Sequence, residues 1–148
     1  MLSTARNTTP PDLYSICTSE TCPKRNNCLR ALIAPEALKE KQFYMQINRS
    51  HPSHREGEGC KFFQSEQPER YAFGFSKAMN SLSHTNYDAC TRYLTSRFSK
   101  STFYRKKGGR LPISPAEQEE LRSVLLDYGY NGDMEAIFDR YELLITWE

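Results

Sequence analysis

Residues 86–109, NYDACTRYLTSRFSKSTFYRKKGG, and residues 114–129, SPAEQEELRSVLLDYG, decide the fold. In the second stretch Ser114 stands where a helix N-cap is needed. Pro115 suits the first helical position, and Glu117, three residues after the cap, completes a capping box. Leu121, Val124, Leu125 and Tyr128 then recur at i, i+3, i+4 and i+7, the apolar face of a helix, and Gly129 ends it. In the first stretch Tyr87, Cys90, Leu94 and Phe98 lie on one helical face, with Asn86 placed to cap it and Arg92 and Thr95 opposite. Phe98-Ser99-Lys100-Ser101 interrupts the pattern, and Thr102 to Lys107 forms a second, basic helix stopped by Gly108-Gly109. These stretches predict an α-rich fold, with an α+β variant left open by the flanking segments.

Working outward, Tyr71, Phe73 and Phe75 alternate as in a strand, whereas Phe75, Met79 and Leu82 have helical spacing, so this element is ambiguous but buried. On the far side, Met134 to Tyr141 places Ile137, Phe138 and Tyr141 for one more short helix. Leu143 to Trp147 is apolar enough to dock as a terminal strand or extended segment. Upstream, a helix begins near Pro35, and His51 to Gly59 is a loop by composition. The expected organisation is a flexible arm over 1–12, a cysteine-rich zinc module over 13–65, and a helical domain over 66–148. The module is expected to pack on a C-terminal helical bundle that contains a helix-turn-helix-like pair.

At 148 residues, with 20 Lys plus Arg, 18 Asp plus Glu and 38% hydrophobic residues, the chain fits one compact domain or two small subdomains and excludes a large multidomain enzyme. No stretch approaches the roughly 18 consecutive apolar residues of a membrane-spanning helix, and Met1 to Cys17 has no apolar signal region. A soluble, cytoplasmic protein is therefore expected, with no membrane partner. The net charge of +2 gives no strong overall field, but its distribution is uneven. Seven basic residues and no acidic ones lie between Ala89 and Ala116, whereas Glu117 to Glu148 carries nine acidic residues against Arg122 and Arg140. Either the two blocks neutralise one another or the basic one meets an anionic partner.

Cys17, Cys22 and Cys28 follow the spacing C-x4-C-x5-C, and Cys60 lies beyond a long loop. Four thiolates converging from separate turns would close the tetrahedral shell of a structural zinc ion, leaving no position open for water. An iron-sulfur cluster takes the same ligands but is the less favoured cofactor. Five cysteines in all, and no secretory signal, disfavour a disulfide framework. His51 and His54 are the candidates to replace Cys60. Cys90, on the apolar stripe of its helix, reads as a buried small hydrophobe.

The basic helix pair has the outline of a helix-turn-helix, a helix, a short turn and a second helix that enters the major groove. On that reading Arg97, Lys100, Ser101, Thr102, Arg105, Lys106, Lys107 and Arg110 contact nucleic acid, DNA ahead of RNA. The alternative is a zinc-stabilised protein-protein interaction adaptor, in which Phe62, Phe63, Tyr104 and Trp147 supply core or interface area. No GxSxG, Walker, HExxH or Gly-rich phosphate motif is present, and His84 with Asp88 lacks a third group, so no catalysis is expected. The oligomeric state is not legible.

Several short motifs are spread along the chain, each once: Tyr14-x2-Cys17-x4-Cys22-Pro23-x4-Cys28-Leu29-Arg30, Cys60-Lys61-Phe62-Phe63, Ala72-Phe73-Gly74, Phe103-Tyr104-Arg105, Ser114 to Gln118, and Phe138-Asp139-Arg140-Tyr141 with Trp147. In this arrangement the chain resembles an uncharacterised family of short Bacteroides-type proteins, a domain of unknown function. The resemblance implies that Cys17, Cys22, Cys28 and Cys60 belong to one cluster. It implies no activity, substrate or partner.

Overall fold

The computed structural model describes residues 10–147, so most of the expected N-terminal arm lies outside the described residues. The chain is helix-rich with one small two-stranded sheet, and it divides into two compact units. Unit 1 comprises residues up to Pro68 together with the tail from Ile145, and unit 2 comprises Glu69–Leu144.

Unit 1 is loop-rich. It holds helices α1 (Leu29–Leu32) and α2 (Ala34–Glu40), the latter with a proline in its first turn as the sequence predicts. Its apolar core is thin. Ile16, Ala34 and Ala37 pack with Ile33, and Leu29 packs separately with Ile145 and Trp147. Backbone pairing supplies the rest. Ile16 and Ile47 join two strand-like segments (Ile16 amide to Met45 carbonyl, 2.8 Å; Ile47 amide to Ile16 carbonyl, 2.9 Å), and the Leu29 amide donates to Gln64 at 2.8 Å. The tail is held by the Gln64 side-chain amide, which donates to the Thr146 carbonyl, and by an edge-to-face contact between Tyr14 and Trp147.

Unit 2 runs β1 (Glu69–Phe73), α3 (Ser76–Asn80), α4 (His84–Phe98), α5 (Lys100–Lys107), α6 (Pro115–Asp127) and β2 (Arg140–Leu144). The strand-or-helix ambiguity at Tyr71 to Leu82 resolves into both, in succession. β1 ends at Phe73, Gly74 turns at φ +74°, and α3 follows. A side chain at Gly74 would collide with the Asp139 carboxylate, whose residue also donates its amide to the Gly74 carbonyl at 3.0 Å. β1 pairs antiparallel with β2 in the register Glu69↔Leu144 to Phe73↔Arg140, and on its other side Ala72 exchanges two backbone hydrogen bonds with Ile113. The core gathers Phe75, Met79, Cys90, Leu94, Phe103, Leu121, Leu125 and Ile137, all essentially inaccessible to water. Each large apolar side chain so buried contributes about 1.5–3 kcal/mol. Cys90 is inert within it, its thiol pushed up to about 11 by burial.

Three sequence expectations are corrected here. Helix α4 begins at His84, and its cap is Ser83, whose hydroxyl accepts the Asn86 amide; Asn86 is therefore already helical. The short helix expected over Met134 to Tyr141 is only the 3-10 turn Met134–Ala136, because Arg140 and Tyr141 are drawn into β2 by pairing with β1. For the same reason the terminal strand starts earlier, at Arg140, and ends at Leu144, while Ile145 and Trp147 dock on Leu29 as the extended segment the sequence also allowed.

The capping box of α6 is complete. The Ser114 hydroxyl accepts the Glu117 amide, and Glu117 accepts the Ser114 amide at 3.0 Å. Its far end closes in a Schellman turn, with the Tyr130 amide on Leu125 (2.9 Å), the Gly129 amide on Leu126 (3.0 Å) and Gly129 at φ +95°. The buried Gln118 amide donates to the carbonyls of Arg70 (2.8 Å) and Ile113 (3.0 Å), which fixes α6 against the sheet. Among the described residues no helix is long and apolar enough to cross a membrane.

Candidate metal centre

The four cysteines singled out by spacing come together in unit 1. Cys17, Cys22, Cys28 and Cys60 line one small cavity of about 20 Å³, and His54 lines it with them. All four are free thiols. Among the described residues, no three His, Cys, Asp or Glu side chains stand as a group that could hold a metal ion as placed. The thiols thus surround the space without closing into a ligand shell.

Local structure brings these segments together in three ways. First, the buried Ser19 hydroxyl donates to Glu56 and accepts the Cys22 amide at 3.2 Å. Thr21 adds bonds of 3.1 and 3.0 Å to the two Glu56 oxygens. This clamp ties the Cys17–Cys22 turn to the segment that leads to Cys60. The Ser19 and Thr21 hydroxyls hold the Glu56 carboxyl below its ordinary value. Second, Gly57 takes φ +71° and approaches so closely that a Cβ there would lie 3.1 Å from Pro23, the residue after Cys22. Third, Arg30 donates to the carbonyls of Ser15 (3.0 Å) and Phe62 (2.9 Å), each two residues from a cysteine. The Arg30 carbonyl also accepts the Cys17 amide at 2.9 Å, and its guanidinium lies 4.4 Å from the Tyr14 ring centre. Lys24, Arg25 and Arg30 stand on the cavity wall. The Lys24 ammonium pairs with Glu58 at 2.9 Å, and the Arg25 guanidinium donates to the Glu20 carbonyl.

The two loop histidines are not equivalent. His51 does not line the cysteine cavity, and its Nδ1 accepts the Ser53 amide at 3.1 Å. In His54 both ring nitrogens are buried and lack any hydrogen-bond partner. Cysteine spacing alone gave His54 no priority over His51. Arg30 closes the Cys28-Leu29-Arg30 motif quoted above, whereas Ser19 and Glu56 carry no motif by which the sequence could announce them.

In unit 2 the eight basic and hydroxyl residues of the helix pair divide. The turn expected between the helices shrinks to Ser99, fewer than the three or four residues of a helix-turn-helix. Ser99 adopts φ +76° and ψ 155°, and its hydroxyl caps α5 by accepting the Thr102 amide. Lys106 is buried and donates to Glu117 (2.8 Å) and to the Pro112 carbonyl (2.9 Å). Burial by itself would raise the Glu117 carboxyl. The Lys106 ammonium and the Ser114 amide outweigh it and hold that carboxyl below its ordinary value. Arg97 pairs with Glu120 at 2.7 Å, and Lys107 donates to the Tyr87 hydroxyl at 2.9 Å. Lys100, Ser101, Arg105 and Arg110 are exposed, and Thr102 is half-buried.

Comparison with curated proteins and with solved structures finds no match. A family model matches residues 1–147, nearly the full length over which the cysteine and aromatic motifs are spread. The chain belongs to that family, a family of unknown function designated DUF6078.

Proposed function

We propose that the chain is a zinc-binding protein without catalytic chemistry, in which a single structural ion folds the cysteine-rich unit. The observation that carries this reading is the meeting of Cys17, Cys22, Cys28 and Cys60 at one cavity from segments up to 43 residues apart, in a unit whose apolar core is too thin to explain its order. Thiolates from separate turns suit zinc, and ion binding would supply folding free energy on the order of 10 kcal/mol. A space of about 20 Å³ holds roughly one water-sized body, which favours one ion over an iron-sulfur cluster. Elemental analysis of protein purified without chelator tests this. About one zinc per chain is expected, lost together with unit 1 structure when Cys17 and Cys60 are both replaced by serine; metal-free, folded protein would refute it.

For unit 2, the exposed Lys100, Arg105 and Arg110, with Ser101 beside them, support an anionic partner, and a nucleic-acid backbone is the class such basic and hydroxyl side chains contact. The rival adaptor reading is favoured by the Arg97–Glu120 and Lys106–Glu117 pairs, which neutralise part of the basic block within the fold. A salt titration with duplex DNA separates them. Phosphate contacts make log affinity fall by about 0.9 per log unit of salt for each phosphate neutralised. Loss of that binding in Arg105→Glu with Arg110→Glu supports the nucleic-acid role, whereas absent or salt-independent binding supports the adaptor.

A further inference from the structure

Resting on the zinc reading above, we infer that His54 is a metal ligand, so that the ion is held by one imidazole nitrogen and three of the four cysteine sulfurs. A neutral imidazole carries one donor and one acceptor nitrogen, and buried polar groups of this kind are almost always paired. In His54 both are buried and neither has a hydrogen-bond partner. The same side chain lines the space that the four cysteines line. A cation in that space satisfies the acceptor nitrogen by coordination.

The surrounding loop is built to present this residue. The His54 amide donates to the His51 carbonyl at 2.9 Å, and the Arg55 guanidinium donates to the carbonyls of Pro52 and His54, each at 2.8 Å. Two residues on, Glu56 is clamped to Ser19, whose hydroxyl also receives the Cys22 amide. The segment bearing His54 and the turn bearing Cys17 and Cys22 are thereby tied together through Glu56 and Ser19. His51 has no such position, since its Nδ1 is occupied by Ser53 and it lies outside the cavity lining. Five donors then compete for four tetrahedral positions. One cysteine is left outside the shell, and the charge of the centre is less negative by one than in an all-thiolate site.

The test is zinc-edge X-ray absorption on the full-length zinc-loaded protein, with His54→Ala and His54→Cys alongside and metal content measured on each sample. Wild type should show a mixed shell, with sulfur near 2.3 Å and one nitrogen at about 2.0–2.1 Å. Both variants should lose the nitrogen contribution, and His54→Cys should retain about one zinc in an all-sulfur shell. An all-sulfur shell in wild type, or a nitrogen that persists in both variants, overturns the assignment while leaving the zinc reading intact. Wild type that binds no zinc overturns both. An all-sulfur wild-type spectrum overturns the inference whether or not a variant folds, and His54→Cys, which keeps a metal-binding side chain at the position, traces a wild-type nitrogen to its residue if His54→Ala does not fold.

Discussion

Replacing Ser99 by glycine should stabilise unit 2, although it removes a helix cap. Ser99 sits at φ +76° and ψ 155°, a region in which a residue with a Cβ stores about 1–3 kcal/mol of strain. Glycine adopts it without that cost. Against this gain stand a few tenths of a kcal/mol for the lost cap, since glycine is itself a fair N-cap, and about 0.5–1 kcal/mol for glycine's greater freedom in the unfolded chain. The balance is about 1 kcal/mol in favour of Ser99→Gly. Ser99→Ala keeps the strain and loses the bond to the Thr102 amide, a loss of about 1 kcal/mol. The two variants should therefore straddle wild type with a gap of about 2 kcal/mol, opposite in order to their helix propensities. Urea unfolding followed by far-ultraviolet circular dichroism reads this through α4, α5 and α6, and the midpoints should shift without a change in slope. Equal destabilisation of the two variants would refute the argument that Ser99 is strained.

Glu117→Gln should destabilise unit 2 by about 1–3 kcal/mol at neutral pH, because it leaves the buried Lys106 ammonium without its anion. The folded Glu117 carboxyl lies below the ordinary value of 4.5, so the stability it adds is present above that pH and is lost as pH falls through the folded value. Denaturation curves of wild type and variant should accordingly converge in acid, and a gap that stays constant would contradict the pairing. Gly74→Ala should cost about 2–4 kcal/mol through the positive φ and the collision with Asp139. Adding Asp139→Ala should recover only the collision's share, as a double-mutant cycle can measure. Chelation should raise amide hydrogen exchange around Cys17–Cys28 and His54–Cys60 before it does so in α4 or α6. Uniform protection loss would argue against a metal confined to unit 1.

Helix α6 was readable because its signals are local: Ser114, Pro115 and Glu117 fix the start, and Gly129 fixes the end, all within sixteen residues of sequence. The start of α4 was misplaced because Ser83 and Asn86 are both good caps, and His84 and Thr85 carry no apolar mark to show that the helix had begun. Arg140 and Tyr141 joined a strand whose partner lies some seventy residues upstream, and no local periodicity reports such pairing. At the candidate centre, cysteine type and spacing pick out Cys17, Cys22, Cys28 and Cys60, which line one cavity without standing as a group placed to hold an ion. The distinction between His51 and His54 depends on which ring is buried without a partner, a property of the folded loop. Likewise, +7 and −7 blocks cannot say which charges meet; Lys106 and Arg97 turn out to face Glu117 and Glu120.

Unit 1 is assembled from chain segments that precede and follow unit 2 in sequence, since Ile145 and Trp147 pack with Leu29. On the ribosome, the cysteine-bearing segment therefore emerges long before the residues that finish its core. It waits without Ile145 and Trp147 against Leu29 while the whole of Glu69–Leu144 is translated. Prompt capture of an ion by the early cysteines would order it before Ile145 arrives.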